Sequence, residues 1–540
     1  MTAAKATKRR TPDALPSSET ENSERYALFS VSDKTGIVEF AKKISKLGYK
    51  IISTGGTAKV LVDSGLKIIP IQEVTGNPES FDGRMKTISF QVEGGILFDR
   101  TNSFHVEQAR ELKVPQIDLV IANLYPFEQT ISDSKVTIDR AVENIDVGGP
   151  TMVRAAAKNH KNVLVIVDPN DYEAVGKALK TGTVDQELRR ALAAKAFGHL
   201  SFYDSQIALF LREGEDFPGE LTLAGRKTMD LRYGENPHQR GAVYIEPNTN
   251  SSLANLKLIA GRELSGTNIT DINAGLELVR MFSDDIAAVV VKHNSPCGIA
   301  LGKTSAQALR RAIEADPKSA FGGVIVLNTL LDIEAAKVLA DFKEDKGQMD
   351  IVSAPQITEE AAALIVKLRK STGIYTFGDI PKERSQRYQI KPINGGWVLQ
   401  DWDDSPEASF ERWKVVTEEQ PTPKQIEQMR IAWKMIGRIK SNTIIILDRD
   451  IPMTRGIGSG QTSRIGSVEI ALAQAGEHSR GGILASDSFF PFGDSVKSAA
   501  DAGISAIIQQ GGSVNDKASI DAANSAKIPM VFTGERKFWH

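Results

Sequence analysis

The chain has 540 residues, 41% hydrophobic and 25% charged, with 66 basic against 68 acidic side chains. That length exceeds a single hydrophobic core, and the near-neutral balance leaves no global basic field to attract nucleic acid or anionic lipid. One cysteine, Cys297, excludes an internal disulfide and any multi-cysteine metal site, and no apolar run reaches membrane-span length. The composition is that of a cytoplasmic enzyme or binding protein.

Residues 1–24 carry Lys5, Lys8, Arg9 and Arg10, then Pro, Ser and Glu, without hydrophobic periodicity. They lack the apolar centre of a secretory signal, and Asp13, Glu19, Glu21 and Glu24 argue against a transit peptide, so they are read as a disordered tail. Order is expected from the short strand at 26–32. Asp33-Lys34-Thr35-Gly36 leads into a helix with Ile37, Phe40, Ala41, Ile44 and Leu47 on one face. Gly48 ends it, 49–53 is a strand, Thr54-Gly55-Gly56-Thr57 opens a second helix, and 66–70 returns to the sheet. This βαβαβ rhythm puts hydroxyl-rich turns where strands meet helix N-termini. Unpaired N–H groups, glycines that admit close approach and the Lys34 charge suit an anion there. In either loop alone, Ser32 or Thr54 is better read as a helix cap, but two such loops at equivalent strand ends favour a phosphate. Neither matches a Walker or dinucleotide pattern, which disfavours a nucleoside triphosphate or NAD. Further on, a strand at 117–122 ends in Asn123-Leu124-Tyr125-Pro126-Phe127, and Asp146 precedes a helix carrying Arg154 and Lys158. By spacing alone Asp146 is equally a cap and Lys158 equally a solvent-facing lysine.

SVSDKTG, STGGTAK, NLYPF, ENIDVGG and RAAAKNH, in this order, resemble the IMP cyclohydrolase domain of the bifunctional purine-biosynthesis family, which joins that domain to AICAR transformylase. The resemblance implies an α/β fold, with a methylglyoxal-synthase-like doubly wound domain over 25–222. It implies that Ser32, Lys34, Ser53, Thr54, Gly55 and Gly56 hold the nucleotide phosphate. Arg84, Lys86, Thr87, Asn123 and Asp146 would line the rest of that pocket, with Lys158 as proton-transfer residue assisted by Tyr125 and Asp146. One stretch departs from the family. Many members read K-T-L-H-P-x-x-H-x-G, whereas residues 86–95 here run KTISFQVEGG, without either histidine. Ring closure needs mainly proximity and modest acid–base help, so activity is expected to survive. The rival expectation is an active formyltransferase whose impaired cyclohydrolase domain remains as a phosphate-ligand regulatory module.

Residues 211–230 are turn-rich and charged and read as a linker. Arg232 beside Tyr233 is either a phosphate grip with a stacking ring or an ordinary turn. Six apolar residues from Ile286 form a strand buried on both faces and ending in Lys292-His293, after which Pro296 and Gly298 are expected to turn the chain. An ammonium and a proton-accepting imidazole would then stand at the carboxyl end of a core strand, where open α/β sheets hold ligands. Two solvated polar residues at a strand end fit the same pattern. Residues 370–425, poor in aliphatics, read as a connector between two lobes. Ser441-Asn442 then starts a core strand, and the glycine-rich run from Gly456 lacks the third glycine of a dinucleotide fingerprint at Gln461. Phe489, Phe490, Phe492 and Asp494 after a strand are either core packing or a stacking wall for a pteridine. Cys297 near His293 raises a zinc deaminase, but H-x-E and P-C-x-x-C are absent, so zinc is rejected. A thiol nucleophile is not excluded by spacing.

LRYGENPHQ, KHNSPCG, SAFGG, IKSNTIII, GIGSGQTSRIGS, SDSFFPF and QQGGS resemble AICAR transformylase over residues 223–540, two cytidine-deaminase-like α/β lobes without a catalytic metal. Relatives commonly carry alanine at the position of Cys297, which is accordingly expected to pack. The resemblance implies formyl transfer from the co-substrate 10-formyltetrahydrofolate to AICAR, then cyclisation of formyl-AICAR to IMP. It also implies a homodimer whose transferase sites form between subunits. His293 would take the proton of the amine, Lys292 would stabilise the oxyanion, and Asn442 would orient the reacting groups. Arg232, Tyr233, Gly322, Arg464, Phe489 and Arg536 would bind nucleotide. Ile465, Asp494, Ser513 and Val514 are implied folate contacts, as is Asn268, which is also counted with the substrate.

Overall fold

The computed structural model describes residues 24–540 apart from 82, 134, 213–215, 386–387 and 405, so the tail expected at 1–24 lies, except for Glu24, outside the described residues. The chain divides into two compact units, Met1–Ala224 and Gly225–His540.

In the first unit, β1 (Tyr26–Ser30), β2 (Lys50–Ser53), β3 (Ile68–Pro70), β4 (Ile117–Ala122) and β5 (Leu164–Ile166) form a wholly parallel sheet in the order β3-β2-β1-β4-β5. Successive strand residues face opposite sides. Leu28, Ile52, Val120 and Val165 enter one core. Ala27, Phe29, Ile51, Leu119 and Ile121 enter the other. Helix Ile37–Lys46 covers the second face, and Gly148–Lys158 with Gln186–Leu211 covers the first. The fold is thus doubly wound. Its strand order reverses between β1 and β4, which opens a crevice at their carboxyl ends.

The second unit begins with the hairpin β6 (Arg226–Leu231) and β7 (Gly241–Ile245). Its first lobe holds β8 (Lys257–Ala260), β9 (Ile286–Lys292), β10 (Ser295–Gly302), β11 (Gly323–Leu327), β12 (Met349–Ala354) and β13 (Gly373–Thr376) in the order β10-β9-β11-β12-β13-β8. After the hairpin β14 (Gln389–Ile393) and β15 (Gly396–Gln400), the second lobe holds β16 (Lys414–Val415), β17 (Ile444–Leu447), β18 (Thr454–Gly458), β19 (Ile483–Ser486), β20 (Ala506–Gln509) and β21 (Met530–Phe532). Read from β18, its order is β18-β17-β19-β20-β21-β16. Both lobes have the same pairing: an antiparallel hairpin at one edge, two parallel pairs inside, and a short antiparallel strand at the far edge. The second unit is therefore one topology used twice.

The lobes join where β10 meets β18. Ala300 and Met453 form an antiparallel bridge, Leu301 N–H donates to Pro452 O at 2.9 Å, and Ile299 N–H donates to Thr454 Oγ1 at 3.0 Å. One core runs through both lobes: Val289, Val291 and Leu301 pack with Trp433, Ile445 and Ile457. Each such buried aliphatic contributes about 1.5–3 kcal/mol.

Three boundaries differ from the sequence reading. The expected linker at 211–230 is shorter, because helix Gln186–Leu211 runs to its first residue and β6 begins at Arg226. The connector expected at 370–425 supplies the interior strand β13 and the edge strand β16, pairings that aliphatic content does not reveal. Pro296 and Gly298 do not turn the chain but lie within β10. The turn is His293-Asn294, both with positive φ (56° and 59°), as a two-residue hairpin loop requires. Pro296 is tolerated because β10 is a sheet-edge strand.

Candidate functional site

In the first unit, the crevice between β1 and β4 is pinned by Asn123. Its Oδ1 accepts the N–H groups of Ser32 (2.6 Å) and Asp33 (2.9 Å), and its Nδ2 donates to Asp33 O. Neither expected hydroxyl cap forms. Gly36 occupies the cap position of helix Ile37–Lys46, and Thr54 stands before helix Gly55–Asp63 without a side-chain bond. Thr54 Oγ1 is buried with no hydrogen-bond partner. A Cβ on Gly55 would lie 3.9 Å from Lys86 Nζ, and one on Gly56 would lie 3.8 Å from Lys34 Nζ. Two ammonium groups thus stand over one helix N-terminus beside an unsatisfied hydroxyl, which is chemistry suited to a phosphate.

Lys86 Nζ lies 3.5 Å from the Tyr125 hydroxyl. Asp146 accepts the Gly149 N–H at 3.0 Å, and its own N–H donates to Tyr203 Oη at 2.7 Å. Burial pushes the Asp146 carboxyl above its ordinary range, opposed by the Gly149 N–H and the Lys86 charge. Thr87 is buried against the start of helix Gly148–Lys158, where a Cβ on Gly148 would lie 2.5 Å from its Oγ1. Lys34, Gly55, Gly56, Lys86, Thr87, Tyr125 and Asp146 therefore come together.

Several expected pocket groups are engaged elsewhere. The Ser53 hydroxyl is fully buried and donates to Phe29 O at 2.8 Å, so its side chain is not free for a ligand. The Asn123 amide holds the loop. Arg84 pairs with Glu143 at the surface. Lys158 ends the helix at whose start the Asp146 carboxylate accepts the Gly149 N–H, about 15 Å along the axis from Gly148 at 1.5 Å per residue, so the two groups stand at opposite ends of that helix within one chain. Where the two family histidines are missing, Ser89 caps helix Phe90–Leu97 by accepting the Val92 N–H, and Glu93 is part-buried.

In the second unit, Lys292 Nζ donates to Phe321 O at 2.9 Å. Lys292 does end β9, but β9 runs antiparallel to β10 and β11, so this is the amino end of β11–β13. The lobe seam lies beside this turn. The antiparallel β10–β18 contact sets the start of β10 beside the end of β18, and β18 pairs with β17 so that Gly458 faces Ile444, two residues past Asn442. The Lys292-His293 turn and Asn442 consequently lie at the same end of the seam. Asp271, on helix Gly266–Val279, accepts the Asn294 N–H at 2.6 Å beneath the turn. Burial raises its carboxyl above the ordinary range, opposed by the N–H groups of Asn294 and His293 and by the charges of His293 and Lys440. Sequence reading missed Asp271. The available signal was a carboxylate on the same helical face as Asn268, Gly275 and Leu278, all buried.

Asn442 Nδ2 donates to Gln461 O at 2.8 Å, and its Oδ1 accepts from Arg464 Nη2 at 2.8 Å. Arg464, read as a nucleotide contact, is only 7% exposed and pairs with the fully buried Asp487, so its guanidinium is turned inward. The residues that follow β19, β20 and β21, among them Phe489, Asp494, Ser513, Val514 and Arg536, share the Asn442 end of the sheet, with Ile465 on the helix that starts at Arg464. The Phe489 ring is about one-third exposed, Val514 is fully exposed, and the Asp494 carboxylate is solvent-facing. An apolar face edged by a carboxylate fits a pteridine. Arg536 stacks on Phe538, with its guanidinium 4.4 Å from the ring centroid.

In the first lobe, the Arg232 guanidinium lies 4.7 Å from the Tyr233 ring centroid, Gly322 is open above its Cα, and Asn268 Oδ1 is engaged by Ser265 in a capping box. Cys297 is buried, and burial raises its thiol to about 12, so it is no thiolate at neutral pH. Among the described residues no group of three or more His, Cys, Asp or Glu is placed to hold a metal, and no helix is long and apolar enough to cross a membrane.

A family model described as AICARFT/IMPCHase bienzyme matches residues 156–474, and one described as MGS-like domain matches residues 36–151. The chain belongs to the AICARFT/IMPCHase bienzyme family. Its relatives include the Bifunctional purine biosynthesis protein PurH of Acetivibrio thermocellus, 46% identical over 523 residues, that of Anoxybacillus flavithermus, 45% over 520, and that of Thermoanaerobacter, 44% over 519. Each alignment covers 96% of this chain and 100% of the relative. A solved structure titled "Crystal structure of ForH" is 36% identical and covers 35% of this chain and 100% of its own, at a TM-score of 0.32. An AICARFT/IMPCHase bienzyme reduced to one activity finds no support, because relatives named bifunctional align along both units.

Proposed function

We propose that the second unit formylates the amine of AICAR and that the first closes formyl-AICAR to IMP, each through the residues assembled above. The chain is a bifunctional AICAR formyltransferase and IMP cyclohydrolase of purine biosynthesis. The observation that carries the residue assignment is the seam that sets the Lys292-His293 turn and Asn442 at one end of the two lobes.

The amine of AICAR is a poor nucleophile because its lone pair is delocalised into the ring. When bound, 10-formyltetrahydrofolate supplies the formyl group, and Ile465, Asp494, Ser513 and Val514 would hold it, while Phe489 contacts the nucleotide. Lys292, tethered to Phe321 O, directs its ammonium at the charge developing on the formyl oxygen, a contribution of roughly 3 kcal/mol. His293 accepts the amine proton, and Asn442 orients the carboxamide. Arg232, Tyr233, Gly322 and Arg536 bind the nucleotide, with Asn268 beside substrate and folate. Arg464 acts on it only through Asn442.

In the first unit, Lys34 and Lys86 hold the phosphate over Gly55 and Gly56. Closure forms a C–N bond between the carboxamide nitrogen and the formyl carbon, and the formyl oxygen leaves as water with one proton from each of the two nitrogens. The site therefore needs orientation and two proton transfers, for which Lys86, Tyr125 and Asp146 stand together. Lys158 joins this site only from a second copy, and we propose a homodimer on that ground.

The test is a pair of assays on the purified full chain. AICAR with 10-formyltetrahydrofolate should yield IMP, and so should formyl-AICAR alone. The Lys292→Ala/His293→Ala double variant should lose the first reaction and keep the second. Full-speed formylation in that variant would overturn the assignment.

A further inference from the structure

Asn442 sits in a frame whose contacts converge on one residue absent from the reaction scheme above. Asp487, the first residue after β19, is fully buried. Its carboxylate accepts from the Ser441 hydroxyl at 2.6 Å and from the Thr443 N–H at 3.1 Å, the residues on either side of Asn442. It also pairs with Arg464 Nη1, while Arg464 Nη2 donates to Asn442 Oδ1 at 2.8 Å. The Asp487 N–H donates to Thr443 O at 3.2 Å, and its carbonyl accepts the Lys537 N–H at 2.8 Å. The C-terminal segment closes the frame: Ser441 N–H donates to Trp539 O at 2.9 Å, and Trp539 N–H donates to the Ser441 hydroxyl at 3.2 Å.

We infer that Asp487 is a positioning residue for formyl transfer, fixing through Ser441, Thr443 and Arg464 which face of the Asn442 amide is the donor. The physical reason is the two-fold ambiguity of a carboxamide. Its oxygen and nitrogen ends are nearly isosteric, and only the partners decide which is which. Arg464 offers N–H groups alone, so Asn442 must present Oδ1 to it and Nδ2 to Gln461 O and the substrate side. Arg464 is held in that pose by the Asp487 carboxylate. Without the carboxylate, the guanidinium is a buried cation missing its counter-charge and is driven to move. A displacement of about 1 Å at a group that orients reactants costs roughly 10²-fold in rate.

This inference rests on the assignment of Asn442 to formyl transfer, and the chain's second activity supplies an internal control. In the full-length enzyme, Asp487→Asn should lower kcat for formylation roughly 10²-fold while the KM for AICAR changes less than about three-fold. Cyclisation of supplied formyl-AICAR should stay at full rate. Asp487→Asn/Asn442→Ala should be no slower than Asn442→Ala alone, because both changes remove one function. Ser441→Ala, which removes a single bond of the frame, should show a smaller loss with the same non-additivity and serves if Asp487→Asn fails to fold. A loss that multiplies on the Asn442→Ala background, or formylation at the wild-type rate in Asp487→Asn and in Ser441→Ala, overturns the inference. Full-speed formylation by Asn442→Ala would instead remove the assignment beneath it.

Discussion

Gly56→Ala separates stability from ligand binding at the phosphate cradle. Gly56 is the second residue of helix Gly55–Asp63 and has no positive φ, so alanine fits its backbone. The new Cβ would meet only Lys34, at 3.7 Å from Cε and 3.8 Å from Nζ, ordinary van der Waals distances. Replacing a helical glycine by alanine should therefore stabilise the unit by about 0.5–1 kcal/mol. The same methyl occupies the space between the helix N-terminus and the Lys34 ammonium. A phosphate pushed off one charge-assisted hydrogen bond loses about 1.5–3 kcal/mol, a ten- to hundred-fold rise in KM for formyl-AICAR. Thermal unfolding and cyclisation kinetics on one preparation measure both effects, with formyl transfer from 10-formyltetrahydrofolate to AICAR as the unaffected control. A higher melting temperature with unchanged KM would refute the placement of the phosphate, since the methyl would then lie where nothing binds.

Three further outcomes follow from the geometry. Asp271→Ala leaves two non-glycine residues of positive φ without their carboxylate. It should cost about 2–3 kcal/mol of stability and lower formylation roughly 10²-fold with cyclisation intact, read by urea unfolding and the two assays; a loss confined to stability would sink the turn-holding role. Glu93 is pushed up to about 7 by burial and its Oε1 has no partner, so the folded state holds its proton between about pH 4.5 and 7 and the unfolded chain does not. Its contribution is complete at low pH and is lost as pH rises through 7. Glu93→Gln should change little at pH 5 and stabilise by about 1–2 kcal/mol at pH 8, a figure discounted for partial exposure, and equal urea midpoint shifts at both pH values would contradict this. In Gly298→Ala the new Cβ would lie 2.1 Å from Ala312 O and 2.6 Å from Ala315 Cβ; a loss of about 3 kcal/mol or more is expected in the same unfolding measurement, and near-neutrality would mean that β10 and helix Ser305–Ala315 are not locked.

The local elements were largely legible. The glycines that stop helix Ile37–Lys46 and open helix Gly55–Asp63, the apolar runs of β9, β11 and β17, and Lys34 beside a helix N-terminus all follow from spacing within a dozen residues. Long-range pairing was not legible. Valine-rich β9 reads the same whether its neighbours run with or against it, and only the antiparallel pairing with β11 shows which end of the sheet Lys292 faces. The turn at His293-Asn294 was hidden because neither residue is glycine and the carboxylate that holds it lies 23 residues away. Arg464 looked like a ligand for phosphate because its partner Asp487 comes from another strand end. Ser53 and Asn123 were rightly placed at strand ends, but sequence spacing cannot say which hydrogen bonds a side chain has already made.

The duplicated lobe bears on how the second unit can be dissected. In each copy the β10 or β18 hairpin arm is the rim of its sheet, and the other copy stands against it. A single lobe produced alone would carry that rim bare, a row of unpaired amides flanked by Ile299 and Leu301 or by Ile457. Such a half would be drawn to associate with its own kind, so the seam between the lobes is also what keeps the two copies from behaving as separate proteins.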